Sequence, residues 1–266
     1  MDSAMESIAF IARSENRILV LRTISDEQPE RRTLREELPV ARTTLARILN
    51  EFESRVWIER DGKAYRTTPV AEAILTKFDP LRATVEGIHA LGEAIDWLPP
   101  PAKDIEFSQF RDCSITKPTA ENPAKPFDRG LELIEGADRY RALVTTAIPS
   151  YVKAVRELQV DGPLDKQGVI EASFLGTLRG NPERAEPWYA FAASDTTWIY
   201  HGQVPVDLHI VDDTVLLWLR KRSGNDLDVY GLLESQNTAL IEWAEDLFEE
   251  YKRDAELLEP EMLVPE

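Results

Sequence analysis

The sequence predicts an α+β fold, in which a helical N-terminal domain with one β-hairpin is followed by a helical linker and a mixed α/β C-terminal domain. Three observations lead to this prediction. Helical periodicity and a single hairpin signal fill the chain up to Leu98, three prolines follow at 99–101, and strand-like and helix-like runs alternate after them. At 266 residues the chain is long enough for about two domains, each with its own core.

The N-terminal domain opens with helical patterns. A helix is predicted over residues 3–23, with an interruption near Ser14. Thr33 followed three residues later by Glu36 has the spacing of a capping box, so we expect the next helix to begin at Thr33. Pro39 is expected to end that helix and to open a turn.

The helix after this turn has the clearest apolar pattern. Leu45, Ile48, Leu49 and Phe52 stand at i, i+3, i+4 and i+7, which predicts a single stripe facing a core. The opposite face and its flanks carry short or positively charged side chains and no carboxylate: Arg42, Thr43, Thr44, Ala46, Arg47 and Asn50. Such a surface can approach the base edges and phosphates of a DNA duplex.

A hairpin is predicted next. Residues 56–60 and 63–67 are short runs rich in apolar and β-branched side chains, and Asp61-Gly62 between them is a dipeptide favoured in two-residue turns. A short helix, a turn, a longer helix and a hairpin are the parts of a winged helix-turn-helix, which places the longer helix in the major groove.

The wing adds cations to the predicted DNA surface. We expect contacts to DNA from Arg42, Thr43, Thr44, Arg47 and Asn50 on the helix and from Arg60, Lys63 and Arg66 at or beside the hairpin tip. Residues 31–66 hold nine basic and six acidic side chains within a chain of net charge −17. This local excess favours DNA contact over the alternative, a three-helix core with solvated arginines.

A linker and dimerisation region is predicted over residues 69–101. Thr68-Pro69 and Asp79-Pro80 each place a capping residue before a proline, which predicts two successive helices. Apolar residues recur there every three or four positions, as in a helix that packs on a second copy of the chain. The residues expected in a homodimer interface are Phe78, Leu81, Val85, Ile88, Leu91 and Ile95; packing within one chain is the alternative.

The C-terminal domain is predicted over residues 102–258, followed by a disordered tail over 259–266. It is expected to begin with an edge strand over 105–110 and a long loop over 117–126. The further helices are predicted over 127–134, 149–159 and 238–255, and the further strands over 140–147, 196–200, 206–211, 214–220 and 227–233, with turns at 212–213 and 223–226. Residues 166–193 show no pattern that assigns an element.

Composition limits the class of protein. Only 9 of the 31 basic residues are Lys, and with 48 acidic residues this resembles proteins of salt-loving archaea, whose carboxylates are screened in strong salt. The single cysteine, Cys113, fits a reducing compartment, and no segment has the length of a membrane span. We therefore expect a cytoplasmic protein with no membrane partner.

Candidate sites for small molecules are weaker. An aromatic group in the second domain could line a metabolite pocket or simply fill the core: Trp188, Tyr189, Phe191, Trp198 and Tyr200, with His201. Nucleotide, hydrolase and zincin motifs are missing. Asp207, His209, Asp212 and Asp213 could hold a metal, but the last two more naturally make a turn. No metal, cofactor or catalytic residue is therefore expected.

Several stretches carry a family resemblance: SENRILVLRTI, VARTTLARILNEFESRVWIER and YRTTPVAEAIL in the first half, and VDLHIVDDTVLLWLR and LLESQNTALIEWAEDLFEEYKRDAELL in the second. Over roughly residues 5–257 the chain resembles archaeal, mainly haloarchaeal, winged helix-turn-helix transcription regulators with a methanogenesis-regulator-type C-terminal domain. The resemblance implies a one-component regulator in which one domain binds promoter DNA and the other senses a metabolite or sets the oligomeric state.

The resemblance also bears on enzymatic activity. The second domain of this family looks distantly like phospholipase-D-type domains, whose catalytic His-x-Lys pattern is missing here. His89, His201 and His209 are followed two residues later by Leu91, Gln203 and Val211. We therefore expect a sequence-specific, homodimeric DNA-binding regulator and no enzyme. A winged-helix module that binds protein without DNA is the first alternative, and a phosphodiesterase relic the second.

Overall fold

A computed structural model describes residues 4–223 and 226–264. These residues form two compact units, Met1–Arg82 and Ala83–Glu266. Helices and one small sheet make up the first unit, and helices around a mixed sheet make up the second, so the predicted α+β class is confirmed.

The first unit has the helix and strand order expected of a winged helix-turn-helix. Its elements are α1 (Ala4–Ala12), α2 (Glu15–Glu27), α3 (Arg31–Glu37), α4 (Arg42–Ser54), β1 (Ile58–Asp61), β2 (Ala64–Thr67) and the first part of α5 (Pro69–Leu91). The predicted stripe of α4 is buried in the core of this unit. An aromatic group closes the core, where the rings of Phe52 and Trp57 stack 5.7 Å apart.

The start of α3 differs from the prediction. The helix begins at Arg31, so Thr33 lies inside it and caps nothing. The preceding chain is held by the hairpin, since the Tyr65 N–H donates to the Pro29 carbonyl at 3.0 Å and Glu30 forms a β-bridge with Ala64. This tertiary contact sets the first turn earlier than the local capping signal.

The hairpin turn is shifted by one residue. Asp61 pairs with Ala64, so Gly62 and Lys63 make the turn and not Asp61-Gly62. Gly62 has φ +62°, a backbone conformation that glycine adopts without steric cost. Gly62 is therefore the first residue of the turn, and Lys63 is the second.

The linker forms one long helix, not two. Helix α5 runs from Pro69 to Leu91 with Pro80 inside it. Asp79 does not start a new helix, because its carboxylate accepts a hydrogen bond from Arg22 Nε at 3.2 Å. Three short 3-10 turns follow α5, at Gly92–Trp97, Pro100–Asp104 and Phe107–Phe110.

The second unit is built on an eight-stranded sheet. Its strands are β3 (Ser114–Thr116), β4 (Arg139–Val144), β5 (Asp165–Glu171), β6 (Thr197–Tyr200), β7 (Leu208–Val211), β8 (Thr214–Ser223), β9 (Asp226–Ser235) and β10 (Glu256–Leu257). The order across the sheet is β10-β6-β5-β4-β7-β8-β9-β3. β4, β5 and β6 run parallel and the other pairings are antiparallel.

Helices cover both faces of this sheet. They are α6 (Lys125–Glu135), α7 (Pro149–Asp161), α8 (Ser173–Arg179), α9 (Pro182–Ala193) and α10 (Thr238–Arg253). Helices α6 to α9 share one core with Ala142 of β4, whereas α10 and the end of α5 share another with Leu143. Adjacent residues of a strand point to opposite faces, so the two cores lie on the two sides of the sheet.

Two further predictions for this unit need correction, and the structure assigns the segment that the sequence left open. Residues 105–110 are no edge strand, because Phe107 and Phe110 lie three apart in a 3-10 turn; the edge strand is β3. Residues 166–193 hold the rest of β5, α8 and α9. The tail is ordered as far as the structure describes it, with Leu263 buried and the Met262 carbonyl accepting a hydrogen bond from Arg179 Nε at 2.7 Å.

The predicted turn at 212–213 is confirmed. Gly224 and Asn225 of the other predicted turn lie outside the described residues.

Candidate functional site

The exposed face of α4 carries the side chains predicted to contact DNA. Arg42, Thr43, Arg47 and Asn50 are exposed, and Thr44 is half-buried. The opposite side of the helix is fixed by burial of the Leu45-to-Phe52 stripe. Because one face is locked in the core, the orientation of the other face is set without any ligand.

Arg47 has an acidic partner that the sequence analysis did not assign. Its Nη1 lies 3.1 Å from Glu51 Oε1, one helical turn further on, and Glu51 Oε2 lies 3.1 Å from Arg17 Nη2 of α2. The i, i+4 spacing of Arg47 and Glu51 was the signal that could have revealed this pair. DNA would therefore compete with a carboxylate for Arg47.

Two cations of the hairpin have carboxylate partners as well. Arg60 Nε lies 2.7 Å from Glu53 Oε1 of α4, and Arg66 Nε lies 2.7 Å from Glu59 Oε1 on the neighbouring strand. The first pair joins the hairpin to the last turn of α4. Lys63 is exposed in the turn. We call Arg47, Arg60 and Arg66 with their glutamates the arginine–glutamate pairs.

The predicted dimerisation residues are divided among three environments. Leu81, Val85 and Ile88 are exposed, at 56%, 41% and 37%. Phe78 packs against the core of the first unit. Leu91 is buried in the second unit and Ile95 packs against the same core, so these two stabilise one chain.

The predicted aromatic pocket is not a single site. Trp198 and Tyr200 of β6 pack on the α10 side of the sheet, where Tyr200 meets Tyr251 edge-on at 4.8 Å. His201 is exposed beside Glu256, and Tyr189 is exposed on α9. Of the predicted set, Trp188 and Phe191 line an apolar cavity of the second unit.

This cavity has a volume of about 90 Å³. It lies between the sheet and helices α6, α7 and α9, and its walls are mainly aromatic and aliphatic. The polar side chains that reach it come from four strands and the segment before β7: Tyr140, Lys166, Asp207, His209 and Arg220. The sequence analysis missed Lys166 because it lies at the edge of the unassigned segment.

Lys166 is a buried cation. Its Nζ lies 3.9 Å from the centroid of the Phe191 ring, donates to the Thr196 carbonyl at 3.3 Å and contacts the Thr197 hydroxyl. Burial lowers the pKa of Lys166 to about 7. Within residues 4–223 and 226–264, no carboxylate forms an ion pair with this amine.

The other polar groups of the cavity have partners. Asp207 accepts from the Thr145 N–H and hydroxyl, both at 2.7 Å, and forms an ion pair with Arg220. The Nδ1 atom of His209 lies 3.3 Å from the Tyr140 hydroxyl. Burial lowers the pKa of His209 to about 4, so this imidazole is neutral at pH 7.

Neither a metal-ligand cluster nor a membrane-spanning helix is present in the described part of the chain. No cluster of three or more potential metal ligands occurs in residues 4–223 and 226–264. None of the helices described in those ranges is long and apolar enough to cross a membrane.

The class of protein follows from the fold and from matches to family models. A winged helix-turn-helix unit with an outward-facing α4, followed by a mixed α/β unit, is the build of a transcription regulator. Residues 5–90 match the model of the HVO_A0261 N-terminal domain, and residues 123–254 match that of the middle domain of the methanogenesis regulatory protein FilR1. The chain belongs to the archaeal winged helix-turn-helix transcription regulators with a methanogenesis-regulator-type C-terminal domain.

Solved structures give weaker likenesses. TrmBL2, an archaeal chromatin protein, is 11% identical with a TM-score of 0.41, over 96% of this chain and 100% of that chain. The phospholipase D family member Nuc from Salmonella typhimurium is 14% identical with a TM-score of 0.43, over 56% and 99%. NucT from Helicobacter pylori is 13% identical with a TM-score of 0.39, over 55% and 99%. Scores of this size support no inference about function. No curated protein matches the chain significantly.

Proposed function

We propose that the protein is a homodimeric regulator that binds promoter DNA through α4 and the hairpin and responds to a metabolite bound in its second unit. The observation that carries DNA binding is the exposed face of α4. Its arginine, threonine and asparagine side chains point outward because the opposite stripe is buried. Arginine and asparagine are the side chains that most often read guanine and adenine in the major groove.

We propose that the hairpin contacts the phosphate backbone of DNA, and a substitution of Lys63 tests this contact. Replacing Lys63 by Ala is expected to weaken binding to all duplexes alike and to lower the slope of log K against log salt by about one unit, because one phosphate contact is lost. Fluorescence anisotropy across a salt series measures the slope. Lys103→Ala, an exposed lysine of the second unit, is the matched control. An unchanged slope in Lys63→Ala would remove the hairpin from the interface.

Dimerisation is assigned to the exposed apolar residues of α5. Val85→Glu is expected to weaken the dimer at least tenfold, because an interface would have to bury a carboxylate without a partner. Sedimentation equilibrium over a range of protein concentrations measures this. Val160→Glu, an equally apolar exposed position on α7, should leave the dimer unchanged. A parent chain that is monomeric, or a Val85→Glu variant that dimerises like it, would contradict the assignment.

The decisive experiment for DNA binding is selection from a random duplex library with the full chain. We expect enrichment of a two-fold symmetric sequence, since a symmetric dimer binds two half-sites. Enrichment of one unrepeated half-site would keep DNA binding and overturn the dimeric mode. No enrichment at any salt concentration would favour the alternative, a winged-helix module that binds another protein.

A further inference from the structure

We propose that the cavity beside Lys166 binds a small carboxylic acid of about two or three carbons. This inference deepens the metabolite-sensing part of the proposed function and names the class of ligand. It shares Trp188 and Phe191 with the aromatic set suggested by the sequence, and its polar residues are new.

The charges around the cavity do not balance. Three of its lining side chains can be charged near pH 7: Lys166, Asp207 and Arg220. Asp207 and Arg220 form an ion pair, and the Thr145 N–H and hydroxyl also bond to Asp207. When it is protonated, the Lys166 amine therefore supplies a positive charge that an anionic ligand would compensate.

The residues around Lys166 hold its side chain in the wall of the cavity. Lys166 and Gly168 project on the same side of β5, and a side chain added at Gly168 would meet Lys166 Nζ at 3.6 Å. That distance is an ordinary van der Waals contact, and both residues line the cavity. Phe191 covers the amine, and Lys166 is only 5% exposed.

The rest of the cavity fits an apolar body. Trp188, Phe191 and Trp218 line it together with aliphatic side chains of β4, β5 and α7. A dry cavity of about 150 Å³ accommodates a benzene molecule, so 90 Å³ corresponds to roughly four non-hydrogen atoms. Acetate has four and propionate five, so acetate fits without expansion and propionate needs a small one.

An outer pocket adjoins this cavity. Asp207, Trp218 and Arg220 line both this cavity and an outer pocket of about 260 Å³, which includes Thr145 and Glu171 at the ends of β4 and β5. The Asp207–Arg220 ion pair therefore separates the two spaces. A carboxylate entering from the outer pocket would pass Arg220 before it reaches Lys166.

The test compares propionate with propionamide, which has the same shape and no charge. The full chain is titrated with each at pH 7 and constant ionic strength, and binding is followed by calorimetry and by tryptophan fluorescence, since Trp188 and Trp218 line the cavity. We expect saturable binding of propionate and at least tenfold weaker binding of propionamide, because a charge-assisted hydrogen bond is lost.

Two variants make the result specific. Lys166→Met keeps most of the length of the side chain and removes its charge, so it should abolish the preference for propionate; circular dichroism verifies that the variant is folded. Lys153→Met, an exposed lysine of α7, should bind like the parent. Equal affinity for the acid and the amide, no binding of either, or an unchanged preference in Lys166→Met would each overturn the proposal.

These measurements are independent of DNA. If propionate binds and the duplex selection enriches nothing, the ligand site stands and DNA binding fails. If a duplex is selected and propionate does not bind, DNA binding stands and this ligand class fails. When both hold, operator affinity with and without propionate shows whether the cavity regulates DNA binding.

Discussion

Replacing Arg42 and Arg47 together by Ala is expected to lower the affinity for the selected duplex by roughly 30-fold to 10⁴-fold. Each arginine that bonds a base edge contributes about 1–3 kcal/mol of discrimination, and the two contributions add if their contacts are separate. Both side chains are exposed at the start and middle of α4, on the face that the core leaves free.

Fluorescence anisotropy with the selected duplex and with a scrambled duplex measures this effect. The variant should retain weak binding to both duplexes while the difference between them falls, because base contacts specify the sequence and backbone contacts do not. Lys103→Ala combined with Arg111→Ala removes the same charge from exposed positions of the second unit and serves as the control. A double variant that still distinguishes the duplexes would show that α4 is not the recognition helix.

The second large effect concerns stability. Between about pH 7 and pH 10.5, Lys166 is expected to make the free energy of unfolding rise with pH by up to about 1.4 kcal/mol per unit. Burial lowers the pKa of Lys166 to about 7 in the folded chain, whereas the unfolded chain keeps the ordinary value of 10.5. The unfolded state therefore binds more protons in this interval, and raising the pH favours folding.

Urea denaturation at a series of pH values measures the free energy of unfolding. Other groups titrate in the same interval, including Cys113, whose pKa burial raises to about 11. The informative quantity is therefore the difference between the parent chain and Lys166→Met, which should grow in favour of the parent as the pH rises. Lys153→Met should follow the parent, because its amine is exposed. Parallel curves for the parent and Lys166→Met would mean that the amine is solvated.

The first unit could be predicted well because its signals are local and repeated. The stripe of α4 required burial of one face, and that alone oriented the exposed side chains. Sequence reasoning failed where a tertiary contact outweighed a local signal. Thr33 has the spacing of a cap, yet the bridge from Glu30 to the hairpin starts α3 earlier. Asp79-Pro80 has the form of a helix start, yet Asp79 pairs with Arg22 and α5 continues.

The residues of the predicted aromatic set do not all lie together, for a geometric reason. Trp188 and Trp198 are both aromatic and only ten residues apart, but the first lies on α9 and the second on the opposite side of the sheet. A single sequence does not show which face of a strand meets which helix. Lys166 could not be recognised either, since a lysine gives no local sign that packing will bury it.

The arginine–glutamate pairs have a consequence for how quickly the protein would find its operator. On random DNA, an arginine that breaks its ion pair with glutamate forms only a contact with a phosphate. The glutamate carboxylate then lies unpaired close to the negatively charged DNA. We therefore expect short dwell times on non-operator sequence and little sliding along it, whereas base contacts at the operator would offset the broken pairs. Because the chain attracts DNA only weakly at long distance, each association with DNA would be slower. A smaller fraction of the protein would, however, be bound to sequences other than the operator.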